Sequence, residues 1–183
     1  MRRIRGYMAM SIDGFIAEPD GGVRFLDAYP PEGADWDAFW SSIGTVVTGR
    51  LTWETVVRLN HHGVYAGRRG FLVTSRPDGA GLPLPDGFGL WGDGVDALVS
   101  HLRAAEDLPA GDIWILGGGL LQQAFLDRDA IDLLELFVVP EVVGDGIRAF
   151  PGGLTKSLRL VGTDEAMPGV VRLAYKRRGE GRP

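Results

Sequence analysis

One junction constrains this chain more than any other: a buried strand that stops on three glycines and resumes at once as a helix. Asp112-Ile113-Trp114-Ile115-Leu116 carries the strand, Gly117-Gly118-Gly119 breaks it, and Leu120-Leu121-Gln122-Gln123-Ala124-Phe125-Leu126 continues with helical apolar spacing. Glycine there lets the backbone come close to a bound group. It also leaves the first N–H groups of the helix pointing outward at the positive end of the helix dipole, a natural seat for a phosphate. The same triplet serves in plain strand-to-helix turns, so its meaning depends on what the other strand ends carry.

Two of them carry matching chemistry. Thr45-Val46-Val47-Thr48 is a short β-branched strand that ends at Gly49-Arg50. Thr52 is placed to cap a helix over residues 53–57, with Glu54 near its start, where a carboxylate suits the dipole. Residues 70–74 form another buried-strand candidate, followed by the turn Ser75-Arg76-Pro77-Asp78-Gly79. Arg50 and Arg76 each put a fixed positive charge at a strand end, where a guanidinium can grip a phosphate in a bidentate manner. An arginine at a helix start is equally at home in solvent.

The rest of the chain supplies a frame for these ends. Residues 4–10 read as an internal strand, Asp13-Gly14 as a turn, and Phe15 and Ile16 as a return to apolar cover. Residues 18–33, rich in Gly, Pro and Asp, make a loop long enough to act as a lid. Residues 35–43 have helical spacing, with Trp36, Phe39, Trp40 and Ile43 on one face, for which core packing is the plain explanation. A short strand at 88–91, a helix at 95–105, a central strand at 131–139 and a closing hairpin from 157–163 and 170–175 complete the pattern. Strands alternating with helices, then two strands together, predict an α/β three-layer fold. Its central sheet is mostly parallel, with helices on both faces and an antiparallel C-terminal hairpin. In such sheets ligands bind beyond the carboxyl ends of the strands, so the three ends converge on one dinucleotide site.

Composition narrows the function classes. With 183 residues, 45% hydrophobic and 23% charged, the chain is expected to form a single domain over residues 1–176, with a flexible tail at 177–183. A net charge of -5 argues against a nucleic-acid surface. The absence of cysteine excludes disulfides, thiol catalysis and cysteine-ligated zinc. His61 and His62 are adjacent and cannot easily point at one metal, and no carboxylates stand beside them at ligand spacing, so no metal is expected. Arg2, Arg3 and Arg5 precede an apolar stretch that Ser11 and Asp13 interrupt. That stretch is too short for a signal peptide or a membrane span, and a cytoplasmic protein is expected.

In that order, the strand ends resemble the dihydrofolate reductase-like superfamily. Thr48-Gly49-Arg50-Leu51-Thr52-Trp53-Glu54 is similar to its Gly-Arg-x-Thr-Trp/Tyr-Glu motif, Val73-Thr74-Ser75-Arg76 to its adenosine-side strand end, and residues 115–126 to its Gly-Gly turn and following helix. Met10-Ser11-Ile12-Asp13-Gly14-Phe15-Ile16-Ala17 and Pro140-Glu141-Val142-Val143-Gly144-Asp145-Gly146 resemble the branch that holds the reductase domain of riboflavin biosynthesis, RibD C-terminal-like. The resemblance implies an NADPH site, with Ala9 and Ile16 near the nicotinamide. Gly49, Arg50 and Thr52 would hold the adenosine phosphates, and Thr74, Ser75 and Arg76 would lie by the adenine ribose. Leu116, Gly117, Gly118, Gly119, Leu120 and Leu121 would lie along the pyrophosphate. Arg50 and Arg76 would read the 2′-phosphate. Relatives in that branch commonly pair, so the resemblance also implies a homodimer, and the apolar strand at 133–139 could sit near its interface.

The departures leave the substrate open. Phe25-Leu26-Asp27-Ala28-Tyr29-Pro30 does not supply the Leu-Pro-Trp loop of a true dihydrofolate reductase, and Gln122 stands where those enzymes place an aromatic. Asp35 matches the pteridine-binding acid by spacing to Phe39, Asp37 competes with it, and either could simply cap the helix. The expected activity is hydride transfer to a C=N or C=O carbon of a small heterocyclic or sugar-linked substrate. That activity resembles 5-amino-6-(5-phosphoribosylamino)uracil reductase, and the alternatives are dihydrofolate reductase and a non-catalytic NADP-binding regulatory protein. Asp35 or Asp37 would orient the substrate or relay a proton, and Asp13 would shape the first turn.

Overall fold

A computed structural model describes residues 2–30, 36–76, 78, 81–153 and 155–178. The strands are β1 (Ile4–Ser11), β2 (Phe15–Ala17), β3 (Ile43–Gly49), β4 (Arg69–Val73), β5 (Phe88–Trp91), β6 (Asp112–Gly117), β7 (Leu133–Val139), β8 (Ile147–Arg148), β9 (Leu158–Met167) and β10 (Val170–Arg177). The helices are α1 (Trp36–Ser42), α2 (Arg50–Arg58), α3 (Gly94–Ala104) and α4 (Gly119–Asp127). The main sheet runs β5-β4-β3-β6-β1-β7-β10-β9. Its first six strands are mutually parallel, and β10 and β9 close it in antiparallel fashion. β2 and β8 form a separate two-stranded antiparallel ribbon.

Alternation along the inner strands sorts the core into two layers. From β3 and β6, Val46 and Trp114 face one side, where Phe39 of α1 and Trp53 of α2 meet them. Val47, Ile113 and Ile115 face the other, against Leu98 and Leu102 of α3 and Leu121 and Phe125 of α4. The three-layer arrangement expected from the helix and strand pattern is therefore the one observed.

Three local expectations change. The helix expected over 53–57 begins at Arg50, because Gly49 in an extended conformation (φ -87°, ψ 156°) is its N-cap; Thr52 sits inside the first turn and caps nothing. Ile43 opens β3 instead of ending α1, yet it still packs in the same layer as Phe39. β8 had no counterpart in the sequence reading. The strand at 133–139 is central, as expected: β1 pairs with one of its edges and β10 with the other.

The N-terminal part of β1 is tied to the hairpin by buried charge. Arg5 donates to Glu135 at 3.1 Å and 2.5 Å, and Arg172 of β10 reaches the other Glu135 oxygen at 2.8 Å. Arg172 also grips Asp164 of β9 at 2.6 Å. Satisfied on both oxygens, the Glu135 carboxylate can stay buried without an unpaired charge.

Candidate active site

Two helices start side by side at the carboxyl edge of the sheet. Gly49 is the N-cap of α2 and Gly118 the N-cap of α4, and neither helix start receives a side-chain cap hydrogen bond. A Cβ built on Gly49 would lie 3.9 Å from the Gly117 carbonyl oxygen, and one on Gly118 would lie 2.9 Å from Thr52 Oγ1. The two helix starts therefore open into the same space; at α4 the Leu121 N–H is already taken by the Gly118 carbonyl at 3.0 Å, which leaves the N–H groups before it to face the cleft.

Each glycine of the triplet is required for a different reason. Gly117 has φ +119°, a conformation that side chains rarely adopt, and the Gly117–Gly118 peptide is cis. A side chain on Gly118 would press into Thr52 and the Ile16 Cδ1 beyond it. Gly119 faces the ribbon instead: a Cβ there would lie 2.3 Å from the Arg148 carbonyl oxygen.

A cleft of about 660 Å³ follows these helix starts, within the usual range of about 300–1,000 Å³ for small-molecule sites. Of the fourteen residues that the resemblance assigns to the cofactor, thirteen line it: Ala9, Ile16, Gly49, Arg50, Thr52, Thr74, Ser75, and the run from Leu116 to Leu121. Arg76 does not line the cleft; its backbone N–H donates to Thr74 Oγ1 at 3.1 Å and helps shape the turn. Arg50 lines it with its guanidinium already paired to Glu54, one helical turn on. A phosphate recruited to Arg50 must share that cation with Glu54.

Asp37 stands exposed in the first turn of α1 and is not brought to the cleft, and Asp35 lies outside the described residues. Among the described residues that line the cleft there is no carboxylate. The loop after β2 does reach it. Gly21, Val23 and Leu26 form part of its wall, the last in a short 3-10 turn, Arg24–Leu26. Arg58 of α2 donates to Gly21 O at 2.8 Å, and Arg24 bridges to Asp20 and Glu18, so this loop is fastened over the site.

Asp13 belongs to the scaffold. Fully buried Ser11 accepts the Phe15 N–H at 2.9 Å and donates to Asp13 at 2.6 Å. Asp13 then accepts the N–H groups of Val143 at 3.1 Å and Gly144 at 2.7 Å. The Ser11 hydroxyl, followed by the backbone N–H donors, pulls the Asp13 carboxyl down to about 2. Asp13 thus shapes the first turn, as expected, and ties it to the loop before β8.

The far end of the cleft was not legible as a site. Tyr7, Trp36, Tyr65 and Trp114 line it with Val56 and Leu59, and exposed His61 joins them. Burial pushes the Tyr65 phenol upward, so it stays neutral. Trp36 has the core contacts its helical spacing suggests and lines the cleft as well.

Comparison with known proteins places this geometry among relatives. The family described as the RibD C-terminal domain matches residues 94–172. The chain is 32% identical over 161 residues to the uncharacterized protein YwjB of Bacillus subtilis (strain 168), covering 87% of this chain and 89% of that protein. Its fold matches the crystal structure of a candidate riboflavin biosynthesis protein from Shewanella sp. PV-4 with a TM-score of 0.80 at 22% identity, over 98% of this chain and 100% of that one. Dihydrofolate reductase from Enterococcus faecalis, complexed with NADP(H) and RAB-propyl, matches with a TM-score of 0.62 at 21% identity, over 97% of both chains. Among the described residues no helix is long and apolar enough to cross a membrane.

Proposed function

This chain belongs to the dihydrofolate reductase-like superfamily, in the branch marked by the RibD C-terminal domain, and on that premise we propose that it is an NADPH-dependent reductase. The observation that carries the reading is the pair of uncapped helix starts, α2 and α4, opening into one cleft beside Arg50 and Thr52. Backbone N–H groups at both starts and the Thr52 and Ser75 hydroxyls suit the phosphates and ribose of a dinucleotide. Ala9 and Ile16 would lie along the nicotinamide. When bound, that cofactor supplies hydride to a C=N or C=O carbon; the protein supplies orientation and exclusion of water. Gly21, Val23 and Leu26 serve the exclusion, as they wall the cleft from the loop side.

Calorimetry with NADPH and NADH on the wild type and on Arg50→Ala tests the assignment. NADPH is expected to bind about tenfold or more tightly than NADH, with the advantage reduced in the variant, since charge-assisted contacts to a phosphate are the strong ones. Equal binding of both cofactors, unchanged by the substitution, refutes it. A second reading has one observation in its favour. No carboxylate lines the cleft among the described residues, as suits a nucleotide-binding regulatory protein without turnover. NADPH binding with no oxidation across pterin, pyrimidine and aldehyde substrates would select it.

A further inference from the structure

Arg50 meets the cleft with a carboxylate already on it. Its Nη1 donates to Glu54 Oε1 across one helical turn, and among the described residues its guanidinium makes no other hydrogen bond. The Nε and Nη2 donors are left for a ligand. Glu54 has no other partner among the described residues either, and it does not line the cleft. It is the first acidic residue of α2, whose first turn holds none. A carboxylate outside the cleft wall therefore holds a cation that belongs to the wall.

Two opposite effects on a phosphate follow from this pair. Glu54 orients Arg50, which helps a ligand, and it repels an anion, which hinders one. The orienting effect is weak. The side chains are 25% and 38% exposed, so water screens the pair, and arginine preceding glutamate is the less favourable order at this spacing. Repulsion is the larger effect. A phosphate monoester carries close to two negative charges at neutral pH. Seated on the free side of the Arg50 fork, it would lie about 7 Å from the Glu54 carboxylate, across the guanidinium. Even at an effective dielectric close to that of water, that repulsion is worth about tenfold in affinity. A ribose hydroxyl in the same place carries no charge and feels none of it.

We propose that Glu54 is a specificity-determining residue of the cofactor site: by holding Arg50 it lowers the affinity for a nucleotide that bears a phosphate monoester, leaves that for the unphosphorylated nucleotide alone, and so limits the preference for NADPH over NADH. The inference rests on the NADPH reading above, with Arg50 as the group that meets the 2′-phosphate. Its consequence falls on release, because affinity differences at one site lie mostly in the off-rate.

Calorimetry with NADPH and NADH on wild type, Glu54→Gln, Arg50→Ala and the double variant tests it. Glutamine matches glutamate in size and helix preference, so melting of Glu54→Gln should stay close to wild type. The variant is expected to bind NADPH about tenfold more tightly, with NADH within about twofold, and stopped-flow displacement should show slower NADPH release. The gain should vanish in the Arg50→Ala background and shrink between about 0.02 M and about 0.5 M salt, as screening removes the repulsion. Unchanged or weaker NADPH binding by Glu54→Gln overturns the proposal, since Glu54 then orients Arg50 more than it competes. An equal gain for NADH, or a gain that persists without Arg50, overturns it as well. The two readings fail in different titrations. Wild type that binds NADPH no better than NADH, with Arg50→Ala unchanged, sinks the cofactor reading and this inference with it. A preference for NADPH that depends on Arg50 but does not move with Glu54→Gln sinks this inference alone.

Discussion

Replacing Gly119 by alanine probes the contact that seats α4 against the small ribbon. A Cβ at that position would lie 2.3 Å from Arg148 O, 2.9 Å from Ala149 O and 3.2 Å from Pro151 Cδ. The first two are backbone atoms with nowhere to go. Arg148 is paired with Phe15 in the ribbon, and the Ala149 N–H donates to Gly14 O at 2.9 Å. Relief must come from moving α4 away from β8, and overpacking of this kind destabilises by ~1–3 kcal/mol. Alanine at a compatible helical position would recover ~1 kcal/mol from the unfolded chain, which leaves a net loss of up to ~2 kcal/mol. In a chain of this size that lowers the melting temperature by up to ~8 °C. The shift also carries the first-turn N–H groups off their positions, so nucleotide affinity should fall by about tenfold, roughly one charge-assisted hydrogen bond. Gly49→Ala is the control. Its Cβ would meet nothing nearer than 3.9 Å, and φ is -87°. Its melting temperature should fall only by the modest preference of an N-cap for glycine over alanine, less than that of Gly119→Ala. Differential scanning calorimetry and nucleotide titration of the two variants decide the matter. If Gly119→Ala melts with wild type, or if Gly49→Ala is as destabilised, the packing argument is wrong.

Two further outcomes follow from the site. Asp13 has a depressed carboxyl, about 2, so its contribution to stability is present above the ordinary carboxylate range near pH 4 and is lost as the pH falls toward about 2. Asp13→Asn should therefore melt below wild type at pH 7, with the gap closing between about pH 4 and pH 2; a gap that is constant with pH removes the carboxylate from the account. Asp37→Asn should leave turnover within about twofold, because Asp37 is exposed and stands off the cleft. A fall of about tenfold or more, on the scale of a lost general acid, would show that α1 brings it to the substrate.

The half of the cleft proposed for the cofactor was legible because its chemistry is local and lies in the backbone. Glycines at strand ends, with short hydroxyl residues beside them, are visible as runs of sequence, and the sheet order then brings β3, β4 and β6 together. What misled was the start of α2. Thr52 is the residue type that caps helices, but Gly49 took the position and left Thr52 free to face the cleft. The ring-lined half was hidden for the opposite reason. Its wall is made of side chains from β1, α1, the 3-10 turn at His62–Tyr65 and β6, spread over more than a hundred residues. Each of those rings has a sufficient explanation as core, and only their meeting around Trp114 makes a surface for a ligand.

The same distinction explains why motifs far apart in the chain act together. Ser11 and Asp13 hold the first turn and, through Val143 and Gly144, the loop that leads to β8. β8 pairs with β2, and the Gly14 carbonyl takes the Ala149 N–H. Arg148 and Ala149 then present their carbonyls to Gly119, where only glycine fits. The Ser-x-Asp-Gly turn, the loop at 143–146 and the last glycine of the triplet are thus one mechanical unit, joined first through the Asp13 carboxylate and then through backbone contacts. Its output is the position of the α4 helix start in the cleft. Asp13, though not among the cleft-lining residues, therefore bears on nucleotide affinity through α4. A substitution there should loosen nucleotide binding in proportion to the stability it removes, whereas one at Arg50 should change binding while leaving the fold intact.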